Sequence, residues 1–209
     1  MAGNVYRSRV KQVRTQLWIL VAVAAVGVIA LVAFHRAPAS GPEAQATVES
    51  SSFGGPFTLV GADGKPFSSI ALSGKPYAIY FGYTRCGDVC PTTLARLVKL
   101  RKQAGDEDAM NIVFVTIDPE NDGPKEVGQY SSLFDSNIIG LTGSKDQIER
   151  VKKQFGIYAQ PEPTDDGHGM KMDHTATVLI FGSDGKLSST IATDEPDRTA
   201  LDKLKRATS

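Results

Sequence analysis

From residue 57 onward, short apolar runs alternate with longer segments whose apolar residues recur at helical spacing. Phe57–Val60 and Pro66–Ile70 flank Asp63-Gly64, which predicts a β-hairpin. Tyr77–Tyr83, YAIYFGY, reads as a buried strand, and Asn111–Ile117, NIVFVTI, is a continuous apolar run of the parallel-sheet type. Between them, Pro91–Gln103 spaces Leu94, Leu97, Val98 and Leu100 as one face of an amphipathic helix. Pro124–Phe134 predicts a second helix, and Ile138–Leu141 a short strand. Ser144–Phe155 predicts a third helix, with Ser144 as N-cap and Gln147 three residues on. Thr177–Phe181 and Lys186–Ile191 flank Ser183-Asp184-Gly185 as a second hairpin, and Pro196–Arg206 closes the chain as a helix.

Strands alternating with helices, then a hairpin and a helix, predict an α/β three-layer sandwich of about 150 residues over 57–209. The order suits a thioredoxin-like topology. Upstream the pattern changes. Leu17 to Phe34, LWILVAVAAVGVIALVAF, carries no charge, and as a helix it spans about 27 Å, close to the ~30 Å hydrocarbon core. It predicts a transmembrane anchor at 17–34 behind a basic segment at 1–16, with Trp18 at the interface. Residues 35–56 mix Pro, Ala, Ser, Gly and Glu without an apolar period and read as a linker. A cleaved signal peptide is the competing reading, since Ala37-Pro38-Ala39 and Ala44-Gln45-Ala46 both offer small residues at cleavage offsets, but the apolar run exceeds the usual ~7–15 residues.

Charge settles the orientation. The 209 residues carry 23 bases and 23 acids, yet residues 1–36 hold five bases and no acid. Arg7, Arg9, Lys11 and Arg14 precede the apolar run and Arg36 follows it. The positive-inside bias therefore puts the N-terminus in the cytoplasm. The expectation is a single-pass protein of the inner (cytoplasmic) membrane with its domain facing the periplasm or exterior, ahead of a mitochondrial inner membrane. The zero net charge gives no argument for nucleic acid as a partner.

Two Cys exclude a multi-disulfide scaffold and a Cys₄ zinc site. Cys86 and Cys90 follow the strand at 77–83 and open the helix, with Pro91 at a candidate first helical position. A helix N-terminus favours thiolate, the form that binds metal or attacks sulfur. Were the Cys-x₃-Cys segment helical, its Cα atoms would stand ~6.2 Å apart, inside the ~4.4–6.8 Å that a disulfide needs. The pair is open to three readings: a redox couple, a two-thiolate clamp, or an inert disulfide. The last would be a poor staple, because so short a loop loses little entropy on closure.

Thr164–Thr175, TDDGHGMKMDHT, reads as a polar loop leading into a strand, and it holds two of the three His and two of the four Met. In a thioredoxin-like topology this segment passes over the mouth of the Cys-bearing helix, so His174 can reach Cys86 and Cys90. Two thiolates and an imidazole form a soft set: thiolate selects Cu(I), and imidazole also serves Cu(II). Zinc is an alternative, although structural zinc sites close four ligands. Asp173 is a candidate to orient the imidazole. His168, Met170 and Met172 are auxiliary soft ligands or ordinary loop residues.

Three stretches together resemble the Sco/SenC family, membrane-anchored copper proteins of respiratory oxidase assembly. Tyr83-Thr84-Arg85-Cys86-Gly87-Asp88-Val89-Cys90-Pro91 is similar to that family's Tyr-Thr-x-Cys-x-x-x-Cys-Pro. Val115-Thr116-Ile117-Asp118-Pro119-Glu120-Asn121-Asp122-Gly123-Pro124 is similar to its Asp-Pro-x-x-Asp-x-Pro stretch, and Met172-Asp173-His174-Thr175 to its Val-Asp-His-Ser/Thr. The resemblance implies a thioredoxin-like fold and copper, as Cu(I) and Cu(II), held by Cys86, Cys90 and His174. It implies the copper A subunit of cytochrome c oxidase as partner, through copper delivery or reduction of that subunit's cysteines. Asp118 falls where the family has an acid near the site. The family often has Tyr four residues before its His; Met170 stands there in this chain and offers a thioether. The alternatives are an envelope thiol–disulfide oxidoreductase, needing the two Cys but not His174, and a thiol peroxidase. The latter resemblance requires Thr three residues before the reactive Cys, where this chain has Tyr83 and Gly87. In an oxidising compartment the cysteines pair, so copper loading calls for an envelope thiol reductase as a second partner.

Overall fold

The computed structural model describes residues 53–105, 107–134, 136–163 and 170–209, with only the backbone of Glu107 and Met170. The predicted anchor at 17–34 and the linker as far as residue 52 lie outside the described residues, as does His168. Among the described residues no helix is long and apolar enough to cross a membrane.

The parallel-type runs form the centre of a seven-stranded sheet. β3 (Tyr77–Gly82), β4 (Asn111–Thr116) and β5 (Ile138–Thr142) are parallel neighbours. The predicted hairpins extend both sides: β1 (Thr58–Gly61) with β2 (Pro66–Ser68) beyond β5, and β8 (Val178–Phe181) with β9 (Leu187–Ile191) beyond β3. The order is β2-β1-β5-β4-β3-β8-β9. All six residues of β3 are buried, as expected of a strand covered on both faces.

The helices are α1 (Val89–Ala104), α2 (Pro124–Ser132), α3 (Lys145–Gln154) and α4 (Asp197–Thr208). The β-strand alternation sorts them into layers. Tyr80 and Gly82 lie on the face of β3 that receives Cys90 of α1, and Phe114, beside them, meets the Tyr130 ring of α2 at 5.0 Å. Phe81 lies on the opposite face, where its ring is 5.4 Å from Phe155 at the end of α3. α1 and α4 pack on each other. Leu94, Leu97 and Leu100 of α1 are at most 2% exposed; burying each such side chain is worth about 1.5–3 kcal/mol. The predicted capping box of α3 is present in both directions: Gln147 N donates to Ser144 Oγ and Ser144 N to Gln147 Oε1.

Three expectations change. The linker ends earlier than residue 56: Gly54 N donates to the Gln154 carbonyl, and the Phe53 ring sits 6.3 Å from Phe155. Pro91 is the third helical residue, because α1 begins at Val89; its missing N–H is still one of the unpaired donors of a first turn. The polar stretch before β8 is not all loop. Met170–His174 forms β7, paired antiparallel with β6 (Ala159–Pro163) in a separate two-stranded sheet. Ala-Gln-Pro-Glu-Pro carries no strand signal, yet the ladder accommodates it. Met172 opposes Pro161 and turns its N–H away from β6, onto Tyr83 Oη at 3.3 Å. Antiparallel alternation then leaves Pro161 and Pro163 on the outer edge, where no N–H is required.

Candidate metal and redox site

β3 ends at Gly82, and the chain turns through Tyr83–Asp88 into α1. The Cys86 N–H closes that turn on the Tyr83 carbonyl at 3.2 Å. Cys86 therefore precedes the helix, while Cys90 is its second residue. The Cys90 N–H, free in a first turn, donates to Cys86 Sγ at 3.4 Å. Cys90 Sγ is seated against β3 because Gly82 has no side chain: a Cβ there would lie 2.9 Å from that sulfur. Both sulfurs are free thiols, Cys90 buried and Cys86 half-buried.

The two thiols are unequal. Burial works to raise the Cys86 pKa, but the Cys90 thiol, the Cys90 and Asp88 N–H groups and the Tyr83 hydroxyl outweigh it and hold Cys86 below the ordinary thiol value. Burial, reinforced by the bond it gives to Cys86, pushes Cys90 up to about 12. Cys86 is thus the thiol that ionises more readily, and Cys90 the one that keeps its proton.

β7 brings in His174. Its Nε2 lies 3.6 Å from Cys90 Sγ, and its Nδ1 lies 3.0 Å from the Thr175 carbonyl oxygen. A carbonyl only accepts, which assigns the proton to Nδ1 and leaves the Nε2 lone pair toward the sulfur. Tyr80 and Tyr83 meet the ring edge-on at 6.2 and 6.0 Å. Burial holds the imidazole below its ordinary pKa, against the pull of the Thr175 carbonyl and the Asp173 charge. At neutral pH the ring is therefore neutral, as a metal ligand must be.

The sulfur–nitrogen distance is a test of fit. With bonds of about 2.3 Å to sulfur and 2.0–2.1 Å to nitrogen, two ligands of a tetrahedral or trigonal ion stand about 3.6–3.8 Å apart. Cys90 and His174, at 3.6 Å, already have that spacing. Among the described residues no three His, Cys, Asp or Glu side chains form a preformed cage.

The remaining candidates are placed as follows. Asp118 Oδ2 pairs with Arg85 at 2.6 Å, and its oxygens accept from Asn121, so it braces the residue before Cys86. Asp173 is exposed; the acceptor at the ring nitrogen is the Thr175 carbonyl, not its carboxylate. Met172 is partly buried against the core and lines, with Tyr83, Ile117, Pro119 and Pro161, a surface cavity of about 360 Å³. The Met170 side chain is outside the described residues. Sequence reasoning gave Asp122 no role. It is fully buried, accepting from Thr84 N at 2.9 Å, Thr84 Oγ1 at 2.5 Å and Thr116 Oγ1 at 2.7 Å. Its only signal was its place in the Asp-Pro stretch.

A strand-loop-helix dithiol on a three-layer α/β domain, with an imidazole facing one of its sulfurs, defines the class: a thioredoxin-like protein whose two cysteines and one histidine gather at the end of its central strands. The chain belongs to the SCO1/SenC family, whose model matches residues 45–209. It is 33% identical over 136 residues to the mouse mitochondrial SCO1 homolog, covering 64% of this chain and 48% of that protein. It is 30% identical over 185 residues to a SCO2-like protein of Rickettsia felis, covering 86% and 90%. The chain thus spans about half the length of the mammalian relatives it matches and most of the bacterial one. Among solved structures it resembles Bradyrhizobium japonicum ScoI with copper bound (38% identity, TM-score 0.66, 75% of this chain and 99% of that one). It also resembles BsSco, described as carrying a disulfide switch and as a member of the Sco family of cytochrome c oxidase assembly proteins (27% identity, TM-score 0.61, 75% and 94%). The mixed α/β thioredoxin-like fold expected from the sequence is that of these proteins.

Proposed function

We propose that this chain is a membrane-anchored copper carrier. It holds one copper ion through Cys86, Cys90 and His174 and delivers it to the copper A subunit of cytochrome c oxidase. The observation that carries the reading is the 3.6 Å approach of His174 Nε2 to Cys90 Sγ, beside a second thiol of lowered pKa. The copper-bound description of the similar ScoI supports the choice of metal, and the assembly role of BsSco supports the partner. Two thiolates and an imidazole are soft donors suited to Cu(I), and the imidazole also tolerates Cu(II). Three ligands leave one position open, through which an acceptor's ligands can displace them one at a time. The lowered Cys86 pKa helps at both ends: the sulfur loses its proton more readily for loading, and a less basic thiolate is the easier one to replace. The sequence supports a single-pass anchor with the domain on the periplasmic or outer side.

A second reading rests on the inequality of the thiols. Cys86 thiolate attacks a partner disulfide, forming a mixed disulfide and releasing one partner thiolate. Cys90 then loses its proton, attacks Cys86 sulfur and releases the second partner thiol, so two electrons pass to the partner. An envelope dithiol reductase restores the pair. Both roles need reduced cysteines, and His174 separates them.

Anaerobic reconstitution with Cu(I) tests the first reading. About one copper per chain is expected, with strong loss in Cys86→Ser, Cys90→Ser and His174→Ala. Full retention by His174→Ala, or no retention by the wild type, would overturn it. Reduction of a copper A-site disulfide peptide that is unchanged in His174→Ala would favour the oxidoreductase.

A further inference from the structure

Among the described residues, Asp122 is the one acid with no exposed surface. A buried carboxylate seldom stabilises better than an apolar side chain of its size, because desolvation offsets its hydrogen bonds. Its placement is therefore informative. The β3–β4 ladder ends where the Ile117 N–H meets the Gly82 carbonyl at 2.8 Å. Beyond that point no backbone bond joins the described segments that follow β3 and β4, and the Asp122 carboxylate takes over. Oδ2 accepts from Thr84 N on one side and Thr116 Oγ1 on the other, while Oδ1 accepts from Thr84 Oγ1. The acid is itself pinned: its N–H donates to the Asp118 carbonyl at 2.9 Å, and its carbonyl accepts from Thr142 Oγ1 at 2.6 Å. Thr84 is the second residue of the turn closed by Cys86 N and the Tyr83 carbonyl. Fixing Thr84 fixes that turn, and the turn sets where the Cys86 sulfur stands relative to the Cys90 N–H and thiol. Cys90 has its own seat against Gly82, so of the two sulfurs Cys86 is the one that depends on the carboxylate.

We propose that Asp122 is the positioning residue for Cys86, holding its turn through Thr84 so that the two sulfurs stand at working separation. This rests on the reading of the dithiol as the working group. Removing the carboxylate frees the turn while the sheet and α1 keep their own bonds, so the loss falls on sulfur geometry.

The test compares the wild-type full chain with Asp122→Asn and Thr84→Val, each first shown to be folded by near-ultraviolet circular dichroism. The first readout is Cu(I) affinity against a chromophoric chelator. The second is the disulfide equilibrium with glutathione, in which Cys86 and Cys90 give two electrons to glutathione disulfide and release two glutathione thiols. Copper affinity is expected to fall about tenfold in Asp122→Asn, as for residues behind a ligand, and less in Thr84→Val. The disulfide is expected to become less favoured in the same order, because that equilibrium reads how closely the sulfurs are held. A folded Asp122→Asn with both readouts at wild-type values overturns the proposal. If Asp122→Asn does not fold, Thr84→Val decides in the same way. If the wild type binds no copper but the disulfide equilibrium shifts, the copper reading falls and the positioning role stands.

Discussion

At the scale of single residues, the site works by making chemically similar groups unequal. Cys86 and Cys90 are both thiols, four residues apart, yet one lies where a helix N–H reaches its sulfur and the other lies against a buried strand. His174 shares the burial and is held neutral, facing Tyr80, Tyr83 and Cys90, with Asp173 the nearby charge. Its lowered pKa fixes a sign. Below about pH 6.5 the unfolded chain takes up a proton at this imidazole that the folded chain resists. The stability this contributes is complete above pH 6.5 and is lost as pH falls below it. Urea denaturation of the metal-free protein at pH 7.5 and 5.5 should show a smaller acid loss in His174→Gln than in the wild type; an equal loss would remove the imidazole from the account. The sequence made the cysteines and His174 legible through their residue types and motifs. It could not show their inequality, nor that the ring nitrogen bonds to a backbone carbonyl, because both depend on which backbone groups the fold leaves free.

At the scale of elements, the site is a junction between β3, α1 and β7. Gly82 is the tightest point. A Cβ there meets Cys90 Sγ at 2.9 Å, Tyr80 Cε1 at 3.0 Å and Phe114 Cε2 at 3.2 Å, all on side chains with no exposed surface. Gly82→Ala is expected to cost about 1–3 kcal/mol by overpacking, and to displace the Cys90 sulfur. Urea denaturation measures the first effect, and loss of copper retention by the folded variant the second. Wild-type stability and wild-type retention together would contradict the packing described. The central strands and α1 were legible because continuous apolar runs and 3.6-residue spacing are strong signals. β7 was not, because its pairing with a Pro-rich strand rests on alternating edge geometry that composition conceals. The capping box of α3 is fully legible in the sequence, since it needs only two residues three positions apart.

At the scale of the whole molecule, the domain presents the dithiol at the end of its central strands, where loops gather side chains from elements far apart in sequence. Cys86 and His174 are separated by 88 positions; the parallel strand β3 delivers the cysteine turn, and the separate antiparallel β6–β7 pair delivers His174. The uncharged run at 17–34 adds a proposed tether. The full chain should sediment with membranes and resist carbonate extraction, whereas residues 48–209 alone should remain in the soluble fraction. Quantitative release of the full chain by carbonate would contradict the anchor. The proposed copper centre itself is tested most directly by X-ray absorption of the Cu(I)-loaded full chain. The account predicts a first shell of two sulfur donors and one nitrogen, falling to one sulfur in Cys86→Ser and losing the nitrogen in His174→Ala. A shell of nitrogen and oxygen alone, or one unchanged by either substitution, would contradict it.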